Sequence, residues 1–135
     1  MNAFLSAQAP KVLSLLRFIA GFLMLWHGAQ KLFNFPPTER GAAGDSFMIF
    51  AGVLEFFGGL LVMIGLGTRW AAFILSGTMA VAYFMAHAPG GFLPLVNKGE
   101  LAVLYCFVFF YLFFAGGGPL SVDALLSRSN NVNND

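Results

Sequence analysis

Apolar residues run almost without interruption through four stretches of this 135-residue chain, near 12–33, 47–67, 70–88 and 99–116. Each stretch comes close to the ~20 residues that a helix needs to cross the hydrocarbon core of a bilayer. Lipid offers no partner to a bare peptide group, so segments of this kind are expected as helices. The pattern therefore predicts an all-α fold, an integral membrane bundle of four transmembrane helices in up-down order, embedded in the lipid bilayer.

Polar breaks separate the stretches. The longest runs from Asn34 to Ser46 and carries Pro36, Pro37, Thr38, Glu39, Arg40, Gly41, Gly44 and Asp45, a mixture of breakers and charges that does not belong in lipid. The second is only Gly67, Thr68 and Arg69. The third, Ala88 to Lys98, contains Pro89, Gly90, Gly91 and Pro94 and has the composition of a turn that dips back into the interface. After Gly116-Gly117-Gly118-Pro119 the chain leaves the membrane. Residues 1–126 are read as one four-helix domain, with an interfacial turn over Leu120 to Leu126, and 127–135 as a disordered polar tail. The first apolar stretch is longer than a secretory signal and no small-x-small cleavage pattern follows it, so it is expected to remain in the mature protein.

Composition agrees with the pattern. Hydrophobic residues make up 59% and charged residues 10%, and the mean hydropathy is +0.78, outside the range of soluble domains. A formal net charge of +1 supplies no field to attract nucleic acid, and no nucleic-acid partner is expected. The single cysteine, Cys106, rules out an intrachain disulfide, a CxxC pair or a thiolate-bound cluster within one chain and reads as a packing residue. Four crossings put both termini on one side. Lys11, Arg17, Arg69 and Arg128 on that side outnumber Lys31, Arg40 and Lys98 opposite by one, which favours cytoplasmic termini in the cell inner membrane.

The candidate chemistry lies in ionisable residues within or beside the spans: Arg17, His27, Lys31, Glu55, His87 and Glu100. A charge at the centre of a spanning helix costs about 2.5–3.5 kcal/mol on insertion scales, so these groups should face the bundle interior. Up-down order places all of them except Arg17 in the leaflet beside the two longer loops. In the first helix Arg17, Gly21, Met24, Gly28 and Lys31 form one stripe with His27 beside it. In the second, Gly52, Glu55 and Gly59 share a face. Small residues let membrane helices approach closely, so Glu55 should point inward. In the third, Ser76, Tyr83 and His87 share a polar face.

Two readings of this cluster follow. One is a set of self-satisfied pairs, Lys31 with Glu55 or Lys98 with Glu100, that fixes helix register. The other is a site, because two His and two Glu at one depth form a proton-accepting pocket. Metal or haem ligation by His27 and His87 is geometrically conceivable but marked only by residue type, and no metal or haem is predicted. Arg17 is read as snorkelling to the interface or pairing with Asp123. The Phe-rich run Phe107 to Phe114 is read as lipid-facing and core packing.

The order and spacing of several motifs resemble the DoxX family of small bacterial membrane proteins. They are Arg17-Phe18, GFLMLWHGAQKLF from Gly21 to Phe33, EFFGG from Glu55 to Gly59, and GLGTR from Gly65 to Arg69 with Ala71-Ala72. Met79, Ala82 and His87 follow, then GGFLPLVNKGELAVLY from Gly90 to Tyr105 and GGGPLSVD from Gly116 to Asp123. The resemblance implies a four-helix bundle and polar motif positions at Arg17, His27, Lys31, Glu55, Arg69, His87, Glu100 and Asp123. Named members of that family include a small subunit of a terminal quinol oxidase and a thiosulfate:quinone oxidoreductase component, so the resemblance also implies a quinone link through partner proteins.

The resulting expectation is a quinone/quinol-interacting redox subunit, with a redox partner subunit and room for a homo-oligomer. His27, Glu55, His87 and Glu100 are the expected catalytic residues, and His27, Lys31, Glu55, Tyr83 and His87 the expected ligand-binding ones. Whether the chain is itself an enzyme stays open, because it carries no electron acceptor of its own. The alternative is a non-catalytic small-molecule transporter or an assembly partner of a membrane complex.

Overall fold

The computed structural model describes residues 1–39 and 41–132. Arg40, counted above in the charge balance, and positions 133–135 of the tail lie outside the described residues. The chain forms α1 (Asn2–Phe33), α2 (Ser46–Ile64) and α3 (Thr68–Ala82), which continues through a π-helical turn, Tyr83–His87, and a short 3-10 turn, Ala88–Gly90. A single helical turn α4 (Pro94–Asn97) precedes α5 (Glu100–Ala115), and α6 (Val122–Val132) closes the described chain. The fold is all-α. α1, α2 and the continuous stretch Thr68–Gly90 are each long and apolar enough to cross a membrane. With 16 residues, α5 is apolar but reaches only about 24 Å at 1.5 Å per residue, short of the ~30 Å hydrocarbon core.

Two of the expected boundaries are corrected. α1 begins at Asn2, ten residues before the apolar stretch, and its 32 residues reach about 48 Å, beyond the ~30 Å core. The tail expected to be disordered is helical as far as Val132. Ser121 starts it as an N-cap, its Oγ accepting from the Ala124 amide at 3.2 Å.

Glycine sets the closest helix pair. α1 and α2 run antiparallel, and Gly21 faces Gly59 while Gly28 faces Gly52. A Cβ built on Gly59 would lie 2.6 Å from the Leu25 amide nitrogen, and one on Gly28 would lie 2.7 Å from the Gly52 carbonyl oxygen. The two backbones are thus in direct contact at both levels, as the seven-residue spacing on each helix allows. Arg17, Gly21, Met24 and Gly28 are all buried on α1, and Gly52, Glu55 and Gly59 on α2, as the stripes predict. α3 pairs chiefly with α5, and Met24, Val62, Leu75, Met79, Phe109 and Leu112 form the core between the two pairs.

At the end that carries the termini, charged side chains cap helix ends in place of water. Arg17, 3% exposed, neither snorkels nor pairs with Asp123. Its guanidinium donates to the carbonyls of Val62 (2.7 Å) and Met63 (2.5 Å) at the end of α2, and to those of Gly117 and Leu120 (both 2.8 Å). Arg69 donates to Phe113 and Phe114 at the end of α5. Asp123 accepts from the amides of Gly67 (2.7 Å) and Thr68 (2.9 Å) at the start of α3. Cations sit on C-terminal carbonyls and an anion on N-terminal amides, the arrangement that helix dipoles favour. Gly65 turns the corner with φ 77°, and a side chain there would meet both Ser121 and Arg17.

Burial by itself would raise the Asp123 carboxyl, but the Thr68 and Gly67 amides and the Arg17 charge outweigh it and hold it below its ordinary value. A carboxylate depressed on folding contributes stability that is present above the ordinary carboxylate range and lost as pH falls through the folded value. Asp123→Asn is therefore expected to cost about 1 kcal/mol at neutral pH. It should also flatten the fall of the thermal midpoint with acid, as read by unfolding in detergent across a pH series.

Candidate functional site

The opposite end of the bundle holds a cavity of about 840 Å³, lined by α1, α2, the end of α3, α5 and both longer loops. Its volume is in the range of sites for drug-sized ligands. Met24, Leu54, Met79 and Leu101 give apolar wall, and His27, Lys31, Glu55, His87, Lys98 and Tyr105 bring the polar groups.

α1 and α2 set one side of it. One turn from the Gly28 and Gly52 contact, Lys31 Nζ reaches both carboxylate oxygens of Glu55, at 2.6 Å to Oε1 and closer to Oε2. Glu55 is 2% exposed and Lys31 18%, so the carboxylate is sealed and the ammonium faces the cavity. This is the one ion pair found among the described residues. Of the two pairings the sequence offers, Lys31 with Glu55 forms, and Lys98 with Glu100 does not. His27, four residues before Lys31, is exposed to the cavity and has no hydrogen bond to protein among the described residues. Its ring stands edge-on to Tyr105 with centroids 6.1 Å apart.

The far side depends on the connection between α3 and α5. Asn97 ties it together: its side-chain amide donates to Gly91 O (2.6 Å) and Tyr83 Oη (3.2 Å), and its Oδ1 accepts from the Gly99 amide (2.8 Å). Tyr83 in turn donates to the Phe92 carbonyl. The π turn widens the helix where Tyr83 and His87 lie, and His87 Nδ1 meets the Asn97 carbonyl at 3.1 Å. A carbonyl only accepts, so Nδ1 is the donor in this contact, and in the neutral imidazole the lone pair is then on Nε2. Gly99 is needed for this closeness, since a Cβ there would lie 2.9 Å from that of His87.

His27, Lys31, Glu55 and His87 thus line one cavity. Tyr83 is buried behind its wall, where its hydroxyl braces the loop. Glu100 is exposed and outside the lining, in the first turn of α5, where the helix dipole suits an acid. Sequence reasoning missed Tyr105 and Asn97. Tyr105 sits in an unbroken apolar run with only its hydroxyl as a signal. Asn97 ends the single helical turn α4, too short to show a periodic pattern, and the one available signal was the Asn-Lys-Gly turn. Among the described residues, no group of three His, Cys, Asp or Glu comes together as a metal site would need.

The DoxX family model matches residues 12–88, a span that includes His27, Lys31, Glu55 and His87. An uncharacterized protein of Haemophilus influenzae is 42% identical over 125 residues, covering 88% of this chain and 93% of the relative. An uncharacterized membrane protein of Mycobacterium tuberculosis is 31% identical over 145 residues, covering 92% and 86%. No solved structure matches.

Proposed function

The chain belongs to the DoxX family, and on that premise we propose that it is a quinone- or quinol-interacting redox subunit of the bacterial inner membrane, working with a partner protein that exchanges the electrons. The observation that carries this reading is the loop-end cavity, which joins histidines of two helices to an apolar wall inside a membrane bundle. A quinone is a flat apolar ring with polar oxygens at opposite edges, and that chemistry fits the donor set present: Lys31 and Tyr105 as donors, His87 Nε2 as acceptor, and His27 able to serve as either.

A bound quinol supplies two electrons and two protons when it is oxidised. The chain's own part is to hold the ring and take the protons. His87 suits this role, because the Asn97 carbonyl accepts a hydrogen bond from Nδ1 and the neutral ring then presents Nε2 as the base. His27 has both ring nitrogens clear of protein partners among the described residues. Glu55 holds Lys31 in place with both its oxygens. Glu100 stands outside the lining. The proton-accepting role expected of the carboxylates therefore passes to the histidines. Cytoplasmic termini, which the charge balance favours, would put the site in the outer leaflet.

The test is a titration of a tail-less benzoquinone into protein in mild detergent. Loss of one hydrogen-bonded contact should weaken binding by about tenfold in His27→Ala, with at most a small drop in the thermal midpoint of the ligand-free protein, because His27 makes no hydrogen bond to protein among the described residues and only an edge contact with Tyr105. Equal binding by wild type and variant would place the ligand elsewhere. No binding by wild type would favour transport or assembly instead, and flux into proteoliposomes separates those two.

A further inference from the structure

The cavity continues sideways between α2 and α3. These helices are joined by the tight turn at Gly65–Gly67 and stay close as far as Gly58, where an added Cβ would lie 3.0 Å from the Leu75 side chain. Antiparallel register from that contact sets Leu54 opposite Met79, Ala51 opposite Ala82 and Phe47 opposite Ala86. All six line the cavity, so beyond Gly58 the two helices part.

Their separation has a structural cause at each side. The loop end of α2 is held to α1 by the Gly28 and Gly52 backbone contact. The loop end of α3 is held toward α5 by the π turn and the Asn97 bonds. The outer edge of the opening is apolar, with Phe50 62%, Val81 45% and Met85 59% exposed on the lipid-facing sides of the two helices. It leads inward to Glu55, Lys31 and the histidines.

From this continuity of a polar chamber with an apolar cleft at membrane depth, we infer that the ligand is a tailed lipid-soluble molecule that enters from the bilayer between α2 and α3 and leaves its hydrocarbon tail in that cleft. The inference rests on the quinone reading for the head group alone. The cleft has no charged residue among its facing pairs, so a water-filled path is disfavoured and a hydrocarbon chain is the matching occupant.

Two measurements test it. In the first, tail-less and decyl-tailed benzoquinones are compared after correction for partition into protein-free micelles. Wild type should bind the tailed molecule at least about tenfold more tightly, because buried methylenes contribute. Ala82→Phe, or Ala51→Phe should the former not fold, should abolish that preference while keeping tail-less binding. A preference that is absent, or that survives the cleft-filling variant, overturns the inference.

The second needs no quinone. Leu54→Trp in a Trp26→Phe/Trp70→Phe background is reconstituted into vesicles of bromine-labelled phosphatidylcholine, with Phe57→Trp as the lipid-facing reference. Quenching of the Leu54→Trp protein comparable to the reference supports a cleft open to acyl chains, and protection from quenching overturns it. Failure of the tail-less quinone to bind wild type removes the quinone reading alone, and the quenching result then decides the cleft.

Discussion

A Gly28→Leu protein is expected to yield no monodisperse species in detergent, because α1 and α2 touch through their backbones at this point. A Cβ on Gly28 would lie 2.6 Å from Phe56 Cα and 2.7 Å from the Gly52 carbonyl oxygen, so no side-chain rotation can relieve the clash. Overpacking in a core costs about 1–3 kcal/mol when neighbours can move. Here the neighbour is helix backbone, and the whole pair must separate. Separation would also take Lys31 from Glu55, which is built one turn away. Gly77, which has nothing within 4 Å of an added Cβ, is the control: Gly77→Ala should elute and melt like wild type. Size-exclusion profiles of the two variants make the comparison directly.

The second large effect is expected at Lys31. Lys31→Met should lower stability by roughly 3–5 kcal/mol, since Glu55 is 2% exposed and keeps no other partner among the described residues. Breaking one half of a buried pair strands the other, whereas removing both exchanges the pair for apolar packing. Lys31→Met/Glu55→Met is therefore expected to recover most of the loss. Thermal unfolding of the two single variants and the double variant gives the coupling as a double-mutant cycle. A double variant as unstable as Lys31→Met would show that the pair acts through shape and not charge.

These two positions were also among the most legible in the sequence. Gly21 and Gly28, like Gly52 and Gly59, repeat at seven residues, and with up-down topology that spacing is enough to bring the two faces together and to turn Glu55 inward. What the sequence concealed lies where periodicity carries no information. Asp123 caps a helix that starts 55 positions earlier, and Arg17 collects carbonyls as far away as Leu120. Both contacts depend on how the chain returns to the bundle. Asn97 acts from a single helical turn, through side-chain bonds to the backbone of Gly91 and Gly99 and to the Tyr83 hydroxyl. Glu100 was placed at the right end of its helix, but depth along a helix does not fix the face, and the first turn of α5 turns it away from the cavity. The polar stretch after Leu126 has the composition of a disordered tail, yet the Ser121 cap and the docking of Asp123 on α3 start a helix that runs into it.

Taken together, the two ends of the bundle divide the work. The end with the termini is occupied by caps: Arg17, Arg69 and Asp123 satisfy helix ends and leave no ionisable group of theirs free for chemistry. The loop end is held open by the same close contacts that hold α2 to α1 and α3 to α5, and it gathers His27, Lys31 and His87 around a volume of about 840 Å³. Polar motif residues in one short chain thus separate into a structural set and a set facing a chamber.

The most direct measurement is extraction and quantification of quinone from protein purified in mild detergent, for wild type and His27→Ala side by side. Near-stoichiometric quinone with wild type, much reduced in a His27→Ala protein that stays monodisperse, is the predicted result. Wild type that carries no quinone and binds none when it is added, or a variant that keeps as much as wild type, would contradict the account.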